Sequence, residues 1–341
     1  MKLIIQIPCL NERDHLGTTL ADLPRHIDGI DAIEVLVIDD GSTDGTSAKA
    51  AELGVHHIVR FPKNRGLSAA FMAGIDASLR LGADVIVNTD ADNQYKGEDI
   101  ARLVAPILAG RADVVIGNRQ TDKIAHFSPL KRWMQRWGSG MVRRVSGTHI
   151  TDATSGFRAI RREVAFRLFV HNRFSYTLET IIHGGRSGVV FDDVAIVTNP
   201  TRRPSRLFTS IPQYLRRNGP VILRAYAMYR PVQTFFSLAL VLFAAGAVLV
   251  GRFAYLYARD PAYAGHTQSL VVGVGAVILS FLVGLFAMLS DLLAGNRRLL
   301  EDVLARVRRL DANASRVAAE RGAPVDGVES TGAAPWTTEA R

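Results

Sequence analysis

Four short apolar runs rich in β-branched residues punctuate the first third of the chain, over residues 3–7, 33–38, 84–88 and 113–116. Their length, their branching and the turn formers that follow them predict buried strands. Between them, residues 16–23, 46–53, 67–81 and 100–109 space their apolar positions as helices do. Buried strands alternating with helices of this length predict an α/β domain, a mostly parallel sheet flanked by helices. Ligands of such sheets sit beyond the carboxyl ends of the strands. Polar clusters fall at those ends here: Asn11-Glu12, Asp39-Asp40, Asp90-Ala91-Asp92 and Asn118-Arg119. These strand ends point to one site, a stronger signal than any single motif.

After Arg119 the pattern loosens into a basic, aromatic segment through Trp133, Trp137 and Arg143-Arg144. A helix is expected after residues 152–158, running over 161–170, and a late strand over 189–197. Arg202-Arg203-Pro204-Ser205-Arg206 comes next, then an amphipathic stretch over 211–229 suited to a helix in the lipid headgroup layer. Residues 232–251 and 269–290 carry no charge, and each run is long enough to cross a bilayer core. The short linker between them predicts a transmembrane hairpin. Arg216, Arg217, Arg224 and Arg230 precede it, and Arg297, Arg298, Arg306, Arg308 and Arg309 follow; only Arg252 and Arg259 lie between. The positive-inside rule then puts both termini and the α/β domain in the cytoplasm, on a multi-pass protein of the inner or plasma membrane.

Leu299, Leu300, Val303, Leu304, Val307 and Leu310 form a helical stripe. It reads equally as a coiled-coil contact in a homo-oligomer and as a helix resting on the bilayer. The expected plan is a catalytic domain over 1–207, juxtamembrane amphipathic helices over 208–231 and membrane helices over 232–257 and 268–293. A cytoplasmic amphipathic helix over 294–321 and a disordered tail over 322–341 complete it.

The formal charge of +9 would fit nucleic acid, anionic lipid or phosphorylated substrates. No nucleic-acid-binding motif is present, and much of the excess arginine lies just before the apolar blocks, which favours the membrane surface. Cys9 is the single cysteine, so no intrachain disulfide can form and no cysteine-based zinc site is evident. Residues 1–8 read as a first strand rather than as a signal peptide.

Asp90, Asp92 and Gln94 bunch hard oxygen ligands on a turn directly after a strand, which suits Mg²⁺ or Mn²⁺ with a substrate diphosphate completing the shell. Alone such a triplet is weak; its register with the other polar strand ends gives it meaning. Asp39 and Asp40 can accept bonds from a base N–H or ribose hydroxyls, while Thr43 or Asp44 caps the next helix. A nicotinamide dehydrogenase is disfavoured, because Pro8, Asn11 and Glu12 occupy the first turn where a glycine fingerprint would stand. His56 and His57 are expected at a strand edge rather than on a metal.

Five ordered segments then carry a family resemblance: Pro8-Cys9-Leu10-Asn11-Glu12, Asp39-Asp40-Gly41-Ser42-Thr43-Asp44, Asn64-Arg65-Gly66-Leu67, Asp90-Ala91-Asp92-Asn93-Gln94 and Asp152-Ala153-Thr154-Ser155-Gly156-Phe157-Arg158. Together they resemble the family 2 glycosyltransferases of GT-A fold, and within them the dolichyl- or polyprenyl-phosphate sugar synthases. The resemblance spans about residues 1–230 and implies a UDP- or GDP-linked sugar donor, with Pro8, Asn11, Glu12, Ile38, Asp39, Asp40, Asp90 and Ala91 on the donor side. It implies Asp90, Asp92 and Gln94 around the metal, Asp92 as a catalytic residue, and Arg119 near a donor or acceptor phosphate. Residues 154–158 would shape the sugar and acceptor side, and Arg202, Arg203, Ser205 and Arg206 would grip the lipid phosphate. Cys9-Leu10, Asn93-Gln94-Tyr95 and Arg206 depart from the commoner pattern.

The resemblance implies inversion at the anomeric carbon. A polyprenyl phosphate oxygen is already anionic and needs no general base; a hydroxyl acceptor would, and Asp152 is the candidate, with a helix cap as its structural reading. Transfer to another lipid or glycan hydroxyl is the alternative, and a membrane scaffold with an inactive transferase domain is the non-enzymatic one.

Overall fold

A computed structural model describes residues 1–120, 140, 143, 146–170, 176–199, 231–259, 267–321 and 323–337. The chain divides into two compact units, residues 1–215 with 301–341, and residues 216–300.

In the first unit, strand β1 (Lys2–Cys9) leads through a turn to α1 (Arg13–Asp22), and β2 (Ala32–Asp39) to α2 (Thr46–Glu52). Strand β3 (His57–Arg60), α3 (Leu67–Arg80), β4 (Val85–Asn88), α4 (Asp99–Leu108) and β5 (Val114–Asn118) continue the alternation. The chain then gives β6 (Arg158–Arg161), the single turn α5 (Arg162–Ala165), α6 (Tyr176–Arg186) and β7 (Phe191–Ala195). Hydrogen bonding orders the sheet β7-β5-β6-β4-β1-β2-β3. β1 pairs in parallel with β2 and β4, β2 with β3, and β5 with β7, whereas β6 runs antiparallel between β4 and β5. Leu3, Ile5, Ile7, Val35, Val37, Val85 and Val87 are wholly buried and form the centre of the core with Leu16, Ile100 and Leu103. Strands covered on both faces explain the continuous apolar runs in the sequence.

The four expected strands and the four expected helices are present within a few residues of their predicted limits. Three elements differ. The helix expected over 161–170 is reduced to the single turn 162–165, and the chain just before it, 158–161, is strand β6. Ala159 and Ile160 are buried between two neighbouring strands, so no alternation betrayed a strand. Strand β3 and helix α6 were not anticipated.

The tail expected to be disordered also differs. β8 (Glu329–Ser330) pairs antiparallel with β3, and β9 (Trp336–Thr337) with the start of β2. Trp336 anchors it: the Arg25 guanidinium lies 3.5 Å from the ring centre and the His56 ring meets it edge-on at 5.2 Å. His56 fills the gap between the two added strands, its Nδ1 accepting the Val35 N–H at 3.0 Å while Nε2 lies 3.0 Å from the Ala334 carbonyl. One aromatic anchor among Gly, Pro and Ala is invisible to a composition argument. The tail thus covers an otherwise open sheet edge.

The second unit contains α7 (Pro231–Arg259) and the first part of α8 (Thr267–Glu320), both long and apolar enough to cross a membrane. They touch at small residues: a Cβ on Gly246 would lie 2.8 Å from the Gly273 carbonyl oxygen. Close approach through glycine is the usual contact of helices in lipid. From Glu301 onward α8 belongs to the first unit, where Arg308 pairs with Asp76 of α3 at 2.9 Å and donates to the carbonyls of Phe166 and Leu168. The amphipathic stretch over 211–229 lies outside the described residues.

Candidate active site

The turn after β1, the turn after β2 and the loop after β4 interlock at the carboxyl end of the sheet. Asn11, in a left-handed conformation (φ 53°), donates its N–H to Ser42 Oγ at 2.9 Å and accepts the Thr43 N–H on Oδ1 at 2.9 Å. Glu12 is buried, and its N–H donates to Thr46 Oγ1 at 3.1 Å. Asp39 accepts the Ser42 N–H at 2.7 Å and a bond from the Ser47 hydroxyl. Both Asp40 oxygens accept backbone N–H groups, from Arg65 at 2.6 Å and Gly66 at 2.9 Å. Gly41 allows this close approach: at φ +75°, its Cβ would lie 2.5 Å from the Lys63 carbonyl carbon.

Neither Thr43 nor Asp44 is the N-cap of α2: that position is Gly45, without a side-chain cap bond, and Asp44 stands one residue before it. Its carboxylate accepts the Thr46 N–H at 3.0 Å and the Arg13 N–H at 3.1 Å. Burial alone would raise the Asp44 pKa, but the Thr46 and Arg13 hydrogen bonds outweigh it and hold it below the usual range. Pro8 is buried in β1, paired with Ile38 of β2. Ile38 turns its side chain toward Gly74 of α3, into the core and away from the cleft, so any donor contact there would fall to its backbone.

The Asp90–Asp92 loop is held from three sides. Thr19 of α1 donates to the Ala91 carbonyl at 2.8 Å, and the Gly97 N–H to Asp22 Oδ2 at 2.8 Å. Asn199, beyond β7, donates its Nδ2 to the Asn93 carbonyl and its N–H to the Gln94 carbonyl, both at 2.9 Å. Asn93 itself sits at φ 54°, and Asp92 Oδ1 accepts the Gln94 N–H at 3.1 Å. On the third side lies Gly156, where a Cβ would stand 3.2 and 3.4 Å from the two Asp90 oxygens and 2.9 Å from the Tyr176 hydroxyl. The motif therefore needs glycine for close approach, without a positive φ. The Tyr95 ring stacks on Phe157 at 4.9 Å, its hydroxyl accepting the Gly156 N–H, and burial pushes its pKa up to about 12.

Electrostatically the loop is short of positive charge. Asp90 is pushed up to about 7, first by burial and then by the Asp92 carboxylate. A divalent cation would relieve that crowding. Among the described residues no three His, Cys, Asp or Glu side chains are grouped to hold a metal by themselves. Two carboxylates, Asp90 and Asp92, on one clamped loop are a donor set that could take a cation whose shell a substrate diphosphate completes.

Asp152 and Arg119 form a buried bidentate pair: Nε to Oδ2 at 2.7 Å, Nη2 to Oδ1 at 2.9 Å. Arg119 Nη2 also donates to Thr154 Oγ1 at 2.7 Å. Burial alone would raise the Asp152 pKa; the Arg119 hydrogen bonds and charge outweigh it and hold the carboxyl below its usual range. No helix begins at Asp152, so the cap reading is replaced by this pair. Arg158 is fully buried and donates to the carbonyls of Ser155 and Ala153 and to Thr180 Oγ1, folding the 153–158 turn rather than facing the cleft. Arg202, Arg203, Ser205 and Arg206 lie outside the described residues. Sequence reasoning missed Asn199, Tyr176, Asn88 and Thr19, which lie in none of the recognised motifs.

The sheet order, with one antiparallel strand inserted beside the metal-capable loop, is that of the GT-A fold. A crystal structure of glucosyl-3-phosphoglycerate synthase from Mycobacterium tuberculosis in complex with UDP shares it, at TM-score 0.50 and 19% identity over 66% of this chain and 80% of that one. The family model "Glycosyl transferase family 2" matches residues 4–169. A polyprenol monophosphomannose synthase of Mycolicibacterium smegmatis is 34% identical over 168 residues, 47% of this chain and 62% of its own length. An undecaprenyl-phosphate mannosyltransferase of Micrococcus luteus is 35% identical over 170 residues, 48% of this chain and 68% of its own. The chain belongs to glycosyl transferase family 2. It spans about three fifths of the length of the Mycolicibacterium enzyme.

Proposed function

We propose that this chain transfers a hexose-type sugar, with inversion, from a UDP- or GDP-linked donor to a polyprenyl phosphate at the cytoplasmic face of the membrane. The observation that carries the reading is the Asp90–Asp92 loop, clamped from three sides at the carboxyl end of the sheet and crowded with negative charge. A bound Mg²⁺ or Mn²⁺ would neutralise charge on the departing nucleotide diphosphate. Asp90, Asp92 and Gln94 are its proposed holders, and the interlocked turns at Asn11, Glu12, Asp39 and Asp40 form the wall on which the nucleoside rests. Arg119 keeps a fixed positive charge near Asp90 and the leaving diphosphate.

The engaged state of Asp152 favours an acceptor that needs no base. Both its oxygens hold Arg119, so it accepts a proton poorly. A phosphate oxygen attacks without giving up a proton, and the protein's task reduces to alignment. The relatives named as polyprenyl-phosphate mannosyltransferases support the same acceptor class. Residues on both sides of the apolar hairpin belong to one compact unit, which supports both termini lying on the same side of the membrane. The flanking arginines favour that side being cytoplasmic.

The test offers a panel of nucleotide-sugars with undecaprenyl phosphate to the full chain and reads the lipid product by mass. Asp92→Ala is expected to abolish transfer with the fold retained; unchanged turnover would remove the metal assignment. Label appearing only on glycan or protein would refute the lipid-phosphate acceptor.

A further inference from the structure

Beneath the Asp90 loop lies a fully buried polar chain that the proposed chemistry does not use directly. Gln6 of β1 and Asn88 of β4 are register partners on neighbouring parallel strands, both 0% exposed in an otherwise apolar layer. Gln6 Nε2 donates to Asn88 Oδ1 at 2.9 Å. Asn88 Nδ2 donates both its hydrogens, to the Gly156 carbonyl at 2.8 Å and to the Tyr176 hydroxyl at 2.9 Å. The Tyr176 ring is fixed by stacking on Phe71, centroids 3.9 Å apart and planes 6° from parallel. Amides buried this deeply cost stability, the more so as Gln6 Oε1 has no hydrogen-bond partner among the described residues, and apolar residues would fill a core more simply. What this chain fixes is the backbone at Gly156, the residue whose α-carbon lies against both the Asp90 carboxylate and the Tyr176 hydroxyl.

We infer that Gln6, Asn88 and Tyr176 are positioning residues, setting through Gly156 the carboxylate direction that Asp90 presents to the cation. The inference rests on the metal-assisted reading above. Asn88 ties β4, which carries Asp90 two residues further on, to the turn entering β6 and to the start of α6. The carboxylate is therefore referenced to three elements rather than left to its loop. Outer residues that orient a metal ligand typically change affinity or activity by 10–100-fold when removed.

The experiment uses the full chain in detergent, with Mn²⁺ titrated in the presence of saturating UDP and, in parallel, GDP. Binding is read from loss of the free-Mn²⁺ paramagnetic resonance signal, beside turnover and melting temperature. Tyr176→Phe keeps the Phe71 stack and removes one hydroxyl; it is expected to weaken Mn²⁺ binding about tenfold and, by leaving one buried Asn88 N–H unbonded, to lower melting by roughly 2–10 °C. Gly156→Ala is expected to lower both binding and melting. Adding Tyr176→Phe to it removes the 2.9 Å clash and should bring melting back to that of Tyr176→Phe alone, while the 3.2 Å contact with Asp90 keeps binding weak. Wild-type Mn²⁺ binding in Tyr176→Phe, with binding lost in Asp92→Ala, would overturn the inference and leave the metal assignment standing. Wild-type binding in Asp92→Ala would overturn the metal assignment and this inference with it.

Discussion

Converting Asp152 to Asn tests whether this residue positions or catalyses. Its carboxylate is 3% exposed and the Arg119 side chain 18%, so neither charge is much screened by solvent. Asp152→Asn keeps the shape but leaves Arg119 buried beside a neutral amide. Removing one partner of a buried pair costs about 3–5 kcal/mol. At roughly 2–4 °C per kcal/mol for a domain of this size, the melting temperature should fall by roughly 6–20 °C. The amide still offers one acceptor oxygen, which favours the lower half of that range. Arg119→Met combined with Asp152→Leu removes both charges and should recover most of the loss, since an apolar pair of similar volume replaces a buried ion pair at little cost. Turnover should not return in the double variant if Arg119 stabilises the leaving diphosphate. The pH dependence has a definite sign. A carboxyl whose folded pKa is depressed contributes stability above its unfolded value, about 3.9, and loses it as pH falls through the folded one. Asp152 therefore contributes no slope to stability or to rate between about pH 6 and 8. Thermal unfolding of wild type and these two variants, with turnover against pH, supplies the numbers. A wild-type melting temperature in Asp152→Asn, or a neutral-pH limb in the wild-type rate profile that this variant abolishes, would refute the ion-pair reasoning and restore Asp152 as a base.

Two further outcomes follow from contacts outside the motifs. Trp336→Ala removes one cation–π and one edge-on aromatic contact and should cost roughly 1–2 kcal/mol, read as faster hydrogen exchange over 329–337 and 57–60. Protection of the same amides, corrected for the intrinsic exchange rate at each pH, should fall as pH drops below about 6.5, because burial, foremost, lowers the His56 pKa and its Nδ1 must stay unprotonated to accept the Val35 N–H. Constant protection from pH 8 to 5 would remove His56 from that role. Asn199→Ala frees the Asn93 carbonyl from its side-chain tie; a net hydrogen bond of 0.5–1.5 kcal/mol translates into a roughly 2- to 10-fold rise in donor KM. An unchanged KM would mean that the loop holds its shape alone.

The parts of the fold legible in the sequence are those written in local periodicity. Strands β1, β2, β4 and β5 are buried on both faces and read as short apolar runs, and a ligand-bearing α/β sheet gathers its polar groups at their ends. Asp90 could be singled out because it stands two residues beyond such a run. What stayed hidden depends on pairings between residues far apart in the chain. β6 has four residues and owes its existence to two flanking strands, so its neighbours decide it and not its own pattern. Asp152 shows the same limit at the site: an acidic residue before an expected helix reads as a cap or a base, and only the approach of Arg119 from the end of β5 reveals an ion pair. The tail failed for the opposite reason, since averaging over its polar composition hid one well-placed tryptophan.

Gly156 joins these lessons into a rule about the site. Its φ is not positive, so no turn requires glycine there, and in the sequence it is one glycine of a Thr-Ser-Gly-Phe run. Its reason is the Asp90 carboxylate on one side and the Asn88-bonded backbone on the other. An antiparallel strand inserted beside β4 is what brings that glycine to the loop, because the chain entering β6 must pass the point where β4 ends. The topology that interrupts the parallel sheet therefore also completes the metal-capable end of it. A substitution anywhere along Gln6, Asn88 and Gly156 should accordingly be felt at Asp90 before it is felt in the sheet.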